Sequence, residues 1–185
     1  MEARLSAEDL TAERRITGFL EKLGVAFALH RHEPVFTVDQ SSAISDALPG
    51  AHTKNLFLKS KRGDLVLASC FGDRRIRISD LEKAIGLRRL SFGAPDLLFS
   101  ALAVRPGSVT PFALMNDADR RVRLILDQRM LATEPLNFHP LHNAATIAIS
   151  AAGFSAFLAA TGHAPEVVDF DALEAQAEAA REKTG

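Results

Sequence analysis

The chain has 185 residues and 20.0 kDa, a length that suits one domain with a sizeable core. Lys plus Arg number 22 against 23 Asp plus Glu, for a formal charge of -1, which excludes a histone-like coat for duplex DNA and leaves any nucleic-acid contact to a local patch. Without Trp or Tyr, with a single cysteine (Cys70) and with 12 Phe, the chain has no tyrosine nucleophile, indole platform, internal disulfide or Cys-rich zinc finger.

The elements follow in chain order. Ser6 and Asp9 form a capping-box variant before Ile16, Phe19, Leu20 and Leu23 at helical spacing, with Gly24 as the stop. Val25 to Arg31 reads as a strand ended by Pro34, and Thr37 with Gln40 caps a second short helix closed at Pro49-Gly50. Asn55–Ser60 and Asp64–Cys70 flank the polar turn Lys61-Arg62-Gly63 as a β-hairpin does. Ser79 and Glu82 cap another short helix that Gly86 ends, and Pro95 opens a third around Leu97, Leu98 and Leu102. Arg123–Asp127 and Thr146–Ser150 have the composition of interior strands. Phe154, Phe157 and Leu158 lie on one helical face ending at Gly162, and Ala172–Lys183 is an Ala/Glu-rich terminal helix. Irregular alternation with a hairpin predicts an α+β (mixed α/β) fold with a central mixed sheet and surrounding helices. The predicted organisation is a single domain over 1–185, with a core at 25–170 and flanking helices at 1–24 and 171–185. No stretch of about 18 apolar residues occurs and the N-terminus lacks a signal-peptide core, so a cytoplasmic protein without membrane contact is expected.

Several groups carry chemistry. Lys54 opens a strand beside apolar Leu56, Phe57 and Leu58; such an amine either holds a phosphate or oxyanion or is a solvated strand-end lysine. Arg105-Pro106-Gly107-Ser108-Val109-Thr110-Pro111 brackets a loop between free and restricted φ, which can turn backbone N–H groups to a carbonyl or serve as a connector. His139, His142 and Asn143 share one loop, where imidazole serves as proton carrier, orienter or structural hydrogen-bonder. His30 and His32 are two apart on a strand and, with Glu33, define a metallohydrolase alternative, although thiolate partners and a helical His-Glu-x-x-His frame are missing. Cys70 ends an apolar strand, as a small packed hydrophobe does. Arg74, Arg75 and Arg77, with Arg88 and Arg89, form either a local phosphate-binding patch or a solvated loop.

In order along the chain, His32-Glu33-Pro34-Val35-Phe36-Thr37-Val38, Thr53-Lys54-Asn55-Leu56-Phe57-Leu58, the Gly107–Pro111 loop with Phe112, and Phe138-His139-Pro140-Leu141-His142-Asn143 together resemble the YbaK/ProX family of trans-editing aminoacyl-tRNA deacylases. That family is similar to the editing domain of bacterial prolyl-tRNA synthetases, and the chain looks most like its alanine-clearing ProX-type members. The resemblance implies hydrolysis, without metal or cofactor, of the ester joining an amino acid to the terminal ribose of tRNA(Pro). It implies that Lys54, Gly107 and His139 are the catalytic set: Lys54 is the key active-site lysine contacting the 3′ end, Gly107 and its loop (Ser108, Pro111) position the ester, and His139 lines the pocket, while Asn55 and Asn143 bind substrate. Phe36, Val38 and Leu56 are the expected pocket walls, and Arg74, Arg75 and Arg77 the expected tRNA contacts. The expected partners are the tRNA(Pro) acceptor end and prolyl-tRNA synthetase. A Cys-tRNA(Pro)-type deacylase and a non-catalytic tRNA- or synthetase-binding module stay open beside this reading. The chemistry suits the inventory, because an activated ester needs positioning and oxyanion stabilisation rather than a covalent nucleophile.

Overall fold

A computed structural model describes residues 5–34 and 48–182. The predicted helix following Thr37 falls outside the described residues, as do Phe36 and Val38.

Helix α1 (Ala7–Lys22) begins where the sequence signals it: the Ser6 hydroxyl accepts the Asp9 N–H, and the Asp9 carboxylate accepts the Ser6 N–H. The helix buries Ile16 and Leu20. Strand β1 (Phe27–Arg31) follows, and then the hairpin of β2 (Ala51–Lys59) and β3 (Leu65–Phe71). Helix α2 (Ile78–Ala84) departs from expectation at its start. Its N-cap is Arg77, with no side-chain cap bond, and the Glu82 carboxylate instead accepts the Leu90 N–H at 2.5 Å. Strand β4 (Ser91–Phe92) precedes α3 (Pro95–Leu102), which carries Pro95 in its first turn. A 3-10 turn at Pro111–Asn116, strand β5 (Val122–Asp127) and a second 3-10 turn at Gln128–Ala132 come next. Strands β6 (Leu136–Phe138) and β7 (Ala145–Ile149) lead into α4 (Ala151–Thr161), which Gly162 ends at φ +73°. Strand β8 (Glu166–Val168) and helix α5 (Phe170–Glu182) complete the described chain.

The strands form one 8-stranded mixed sheet in the order β1-β7-β6-β2-β3-β5-β8, with β4 also on β2. β2 is long enough to hold two partners beside β3: its start pairs in parallel with β6 (Ala51 opposite Leu136), and its end pairs antiparallel with β4 (Leu58 opposite Phe92). Because side chains alternate along a strand, the central hairpin feeds two cores. Phe57, Leu65 and Leu67 join one core with residues of α1, α3 and α4, while Leu58, Val66, Ala68 and Cys70 join another against α2 and α5.

The first core is built on phenylalanine. The Phe112 ring meets Phe138 edge-on at 5.4 Å and Phe157 at 5.2 Å, and Phe138 lies 4.8 Å from Phe154. Phe112 is fully buried and directly follows the Gly107–Pro111 loop, so the aromatic cluster anchors that loop. Phe112→Ala is expected to cost about 3–5 kcal/mol of stability by leaving a cavity that the rings cannot close. Urea unfolding measures this, and a loss below about 1 kcal/mol would show that the cluster is not the anchor.

Candidate active site

A cleft of about 170 Å³ opens where the start of β2, the glycine loop and the loop after β6 meet, lined by Thr53, Asn55, Gly107, Val109 and His139. Each wall has a local cause. On β2, Thr53 and Asn55 are two apart and share a face. The Thr53 hydroxyl donates to the Asn137 carbonyl at 2.8 Å, tying β2 to β6. The Ser69 hydroxyl on β3 donates to Asn55 Oδ1 at 2.7 Å, leaving the Asn55 amide N–H groups as donors for a ligand.

The glycine loop is held at both ends. The Ser108 N–H donates to the Arg105 carbonyl at 3.0 Å, closing a turn, and the Thr110 hydroxyl accepts the Phe112 N–H at 3.3 Å. Gly107 takes φ +89°, a conformation that favours glycine. Among the described residues, the N–H groups of Gly107 and Val109 have no backbone or side-chain acceptor. A Cβ placed on Gly107 would lie 3.8 Å from Asn143 Nδ2, so the glycine loop and the Asn143 loop are neighbours. Ser108 is buried and Pro111 packs into the core end of the loop; neither lines the cleft.

His139 donates from Nδ1 to the Ala145 carbonyl at 3.2 Å, which leaves its lone pair on Nε2. Burial is the main cause that pushes this imidazole below the ordinary histidine range; His32 and His142 add to it, and the Ala145 bond opposes it. His139 is therefore neutral at pH 7. Behind it, His142 is buried and accepts the Ala144 N–H at Nδ1 (3.2 Å), while its Nε2 lies 3.5 Å from a Glu13 carboxylate oxygen. Arg31 grips the same buried carboxylate at 2.5 and 3.3 Å. Helix α1 thus braces the loop that carries His139, a role for Glu13 and Arg31 that no local sequence pattern announces. His32 is held by Thr146 Oγ1 at 3.0 Å and by the Glu33 carbonyl at 2.9 Å. No set of His, Cys, Asp or Glu among the described residues is grouped to hold a metal ion.

Side-chain alternation along β2 keeps Lys54 out of the cleft that the glycine loop lines. Cα pairing sets Lys54 opposite Cys70 and Leu56 opposite Ala68, and Cys70, Ala68 and Leu56 all belong to the second core. Lys54 and Leu56 therefore face away from Thr53 and Asn55, and Leu56 is not a wall of the cleft. The Lys54 amine lies at the same end of the sheet, on its other face, where it donates to the Arg74 carbonyl. An ammonium has three N–H donors, so two remain for a ligand. Cys70 beside it is inert: burial pushes its thiol up to about 12.

Within the expected arginine patch, Arg74 is turned inward. Arg74 is buried, and its guanidinium binds Asp127 at 2.9 Å, Glu174 at 3.0 Å and Asp171. The Asp171 hydrogen bond is the first cause holding Arg74 firmly charged, and the same bond holds the Asp171 carboxyl below its usual range. With the Arg75 N–H donating to Glu174 at 2.9 Å, Arg74 fastens α5 to the loop after β3 and has no face left for RNA. Arg75 and Arg77 are exposed. Arg74→Met is expected to cost about 3–5 kcal/mol, because it strands the buried Asp127 carboxylate. Chemical unfolding reads this, and an unchanged midpoint would contradict the role.

Residues 32–157 match the sequence profile of the family described as "Aminoacyl-tRNA editing domain". The prolyl-tRNA synthetase associated domain-containing protein 1 of Danio rerio is 34% identical over 171 residues, covering 91% of this chain and 92% of that protein. Its Bos taurus counterpart is 37% identical over 157 residues, covering 82% and 91%. The prolyl-tRNA editing protein ProX of Acetoanaerobium sticklandii is 28% identical over 164 residues, covering 87% and 99%. A solved candidate trans-editing enzyme for prolyl tRNA synthetase shares the fold with a TM-score of 0.64 at 20% identity, covering 90% of this chain and 98% of that one.

Proposed function

This chain belongs to the aminoacyl-tRNA editing domain family, and from that premise we propose that it is a trans-editing deacylase that hydrolyses mischarged tRNA(Pro), with alanine as the acyl group. The observation that carries the reading is the small cleft in which the Asn55 amide, the Gly107 loop and a neutral His139 converge. The similarity to ProX over 99% of that protein's length supports the reaction class.

The proposed step needs neither a metal nor a covalent nucleophile. The ester carbonyl oxygen takes the N–H groups of Gly107 and Val109, and the Asn55 amide orients the acyl group. A water held by the His139 Nε2 lone pair attacks the carbonyl carbon and passes its proton toward that nitrogen. As the carbon–oxygen bond to the ribose breaks, the ribose oxygen takes the proton back, directly or through the neighbouring hydroxyl. Amides fixed in place where the negative charge develops contribute most when they cost no rearrangement. The two unused N–H donors of Lys54 hold the terminal phosphate as the 3′ end passes round the end of the sheet. Proline is refused by overlap with the walls, since excluding a larger group is sterically direct.

Among the described residues no helix is long and apolar enough to cross a membrane. The proposed working place is the cytoplasm, on free tRNA or docked on prolyl-tRNA synthetase, the protein that the names of the animal relatives cite. The test offers Ala-, Cys- and Pro-tRNA(Pro) to purified protein with chelator present. Preferential release of alanine is expected. Preferential release of cysteine makes it the cysteine-clearing type, loss of activity with chelator points to a metallohydrolase, and tRNA binding with no release makes it a binding module.

A further inference from the structure

A second charged surface lies at the other end of β2. The turn between β2 and β3 and the segment after α2 enclose a hollow of about 510 Å³ lined by Lys61, Arg62, Arg88 and Arg89, together with Ser60 and Asp64. A neighbouring hollow of about 640 Å³ shares Arg88 and Arg89 and adds Lys83. Lys61, Arg62, Arg88 and Arg89 are exposed, and none forms an ion pair with a described residue. The carboxylates beside them are Asp64, which accepts from the Ser60 hydroxyl, and Glu82, which accepts from the Leu90 N–H, so four unpaired cations stand against two acids. On a chain of net charge -1 this is a marked local excess of positive charge. An aromatic ring stands beside it. Phe92 on β4 is 66% exposed, and the β4–β2 pairing sets Ser91 opposite Lys59 at the root of the turn.

We propose that this ledge grips the phosphate backbone of the RNA substrate, with Phe92 as a stacking platform for an unpaired base. The proposal rests on the tRNA reading above and adds the surface that the body of the RNA occupies. Clustered cations beside a solvent-facing ring are the combination that binds an RNA backbone together with its bases. The placement suits a substrate whose 3′ end reaches the cleft. From Asn55 to Ser60, β2 spans about 17 Å at roughly 3.3 Å per residue, a gap that a few unpaired nucleotides bridge. The ledge also replaces the buried Arg74 as the phosphate contact.

The test measures binding of uncharged tRNA(Pro), which requires no hydrolysis and so separates this proposal from the proposed reaction. Lys61→Glu/Arg62→Glu and Arg88→Glu are each expected to raise Kd about tenfold or more at low salt, and to flatten the salt dependence by roughly 0.7–0.9 per lost phosphate contact. Phe92→Ala is expected to weaken tRNA with an intact 3′ end more than tRNA trimmed of its unpaired 3′ nucleotides. The milder Lys61→Gln/Arg62→Gln pair guards against misfolding, with the melting temperature as the check. Folded variants that bind tRNA within about twofold of the parent overturn the proposal. So does equal competition by polyglutamate, which would mark a general polyanion surface, and so does failure of the parent protein to bind tRNA.

Discussion

Replacing His139 with alanine is expected to lower kcat for deacylation by about 10²-fold, the usual scale for losing a group that handles the proton of an attacking water. Binding of uncharged tRNA should stay close to that of the parent protein, because the lone pair on Nε2 acts on the water and not on the RNA. The pH profile gives a second readout. Burial, His32 and His142 keep the folded imidazole below its ordinary value of 6.5, so kcat should be flat through neutrality and fall only in the acid range below 6.5. The stability contribution has the same sign. The unfolded chain protonates this group more readily than the folded one, so its contribution is fully present above pH 6.5 and is lost as the pH falls. His139→Ala should remove the acid limb of the rate profile as well as lowering its plateau. An unchanged kcat, or a profile that keeps its acid limb, would take the proton step away from His139.

Lys54→Ala is expected to lower kcat/KM by about 10- to 100-fold, the equivalent of losing one charged hydrogen bond worth about 1.5–3 kcal/mol. The loss should fall mainly on KM, because the amine is on the opposite face of β2 from the cleft and, in the proposed reading, holds RNA rather than the reacting carbonyl. Lys54→Arg should recover part of it. The Arg74 carbonyl loses a donor in Lys54→Ala, but the Arg74 guanidinium keeps its carboxylates, so the melting temperature should move little. Steady-state kinetics on Ala-tRNA(Pro) decide the matter. A kcat/KM equal to that of the parent removes Lys54 from the reaction, and a loss carried wholly by kcat would place the amine at the reacting atoms instead.

Much of the fold is legible wherever a local signal coincides with burial. The Ser6–Asp9 capping box, the central hairpin, Pro95 and Gly162 each act within a turn of their own position, and the elements they mark occur where expected. The short strands β4, β6 and β8 left no such trace, since two or three residues carry no periodicity and their pairing is set by distant partners. The site divides in the same way. Gly107, His139 and Asn55 are recognisable as residue types, and the loops of the first two meet the β2 residue at one cleft. What pattern reading underused was the two-residue period of Thr53-Lys54-Asn55: it places Thr53 in the cleft and turns Lys54 and Leu56 away from it. Arg74 misleads for another reason. A run of arginines has the same appearance whether its charges face water or buried carboxylates, and Asp127, Asp171 and Glu174 are far away in sequence. The bracing of His142 by Glu13 and Arg31 is equally long-range.

The most direct measurement uses an analogue in which a stable amide joins alanine to the 3′ oxygen position of adenosine, titrated into isotope-labelled protein and followed by NMR. If the cleft is where the acyl group binds, the backbone amides of Gly107 and Val109, the Asn55 side-chain amide and the His139 ring shift together on one binding curve, while the prolyl counterpart leaves them unmoved. Saturable shifts confined to other parts of the molecule, with those four groups unchanged, would contradict the account.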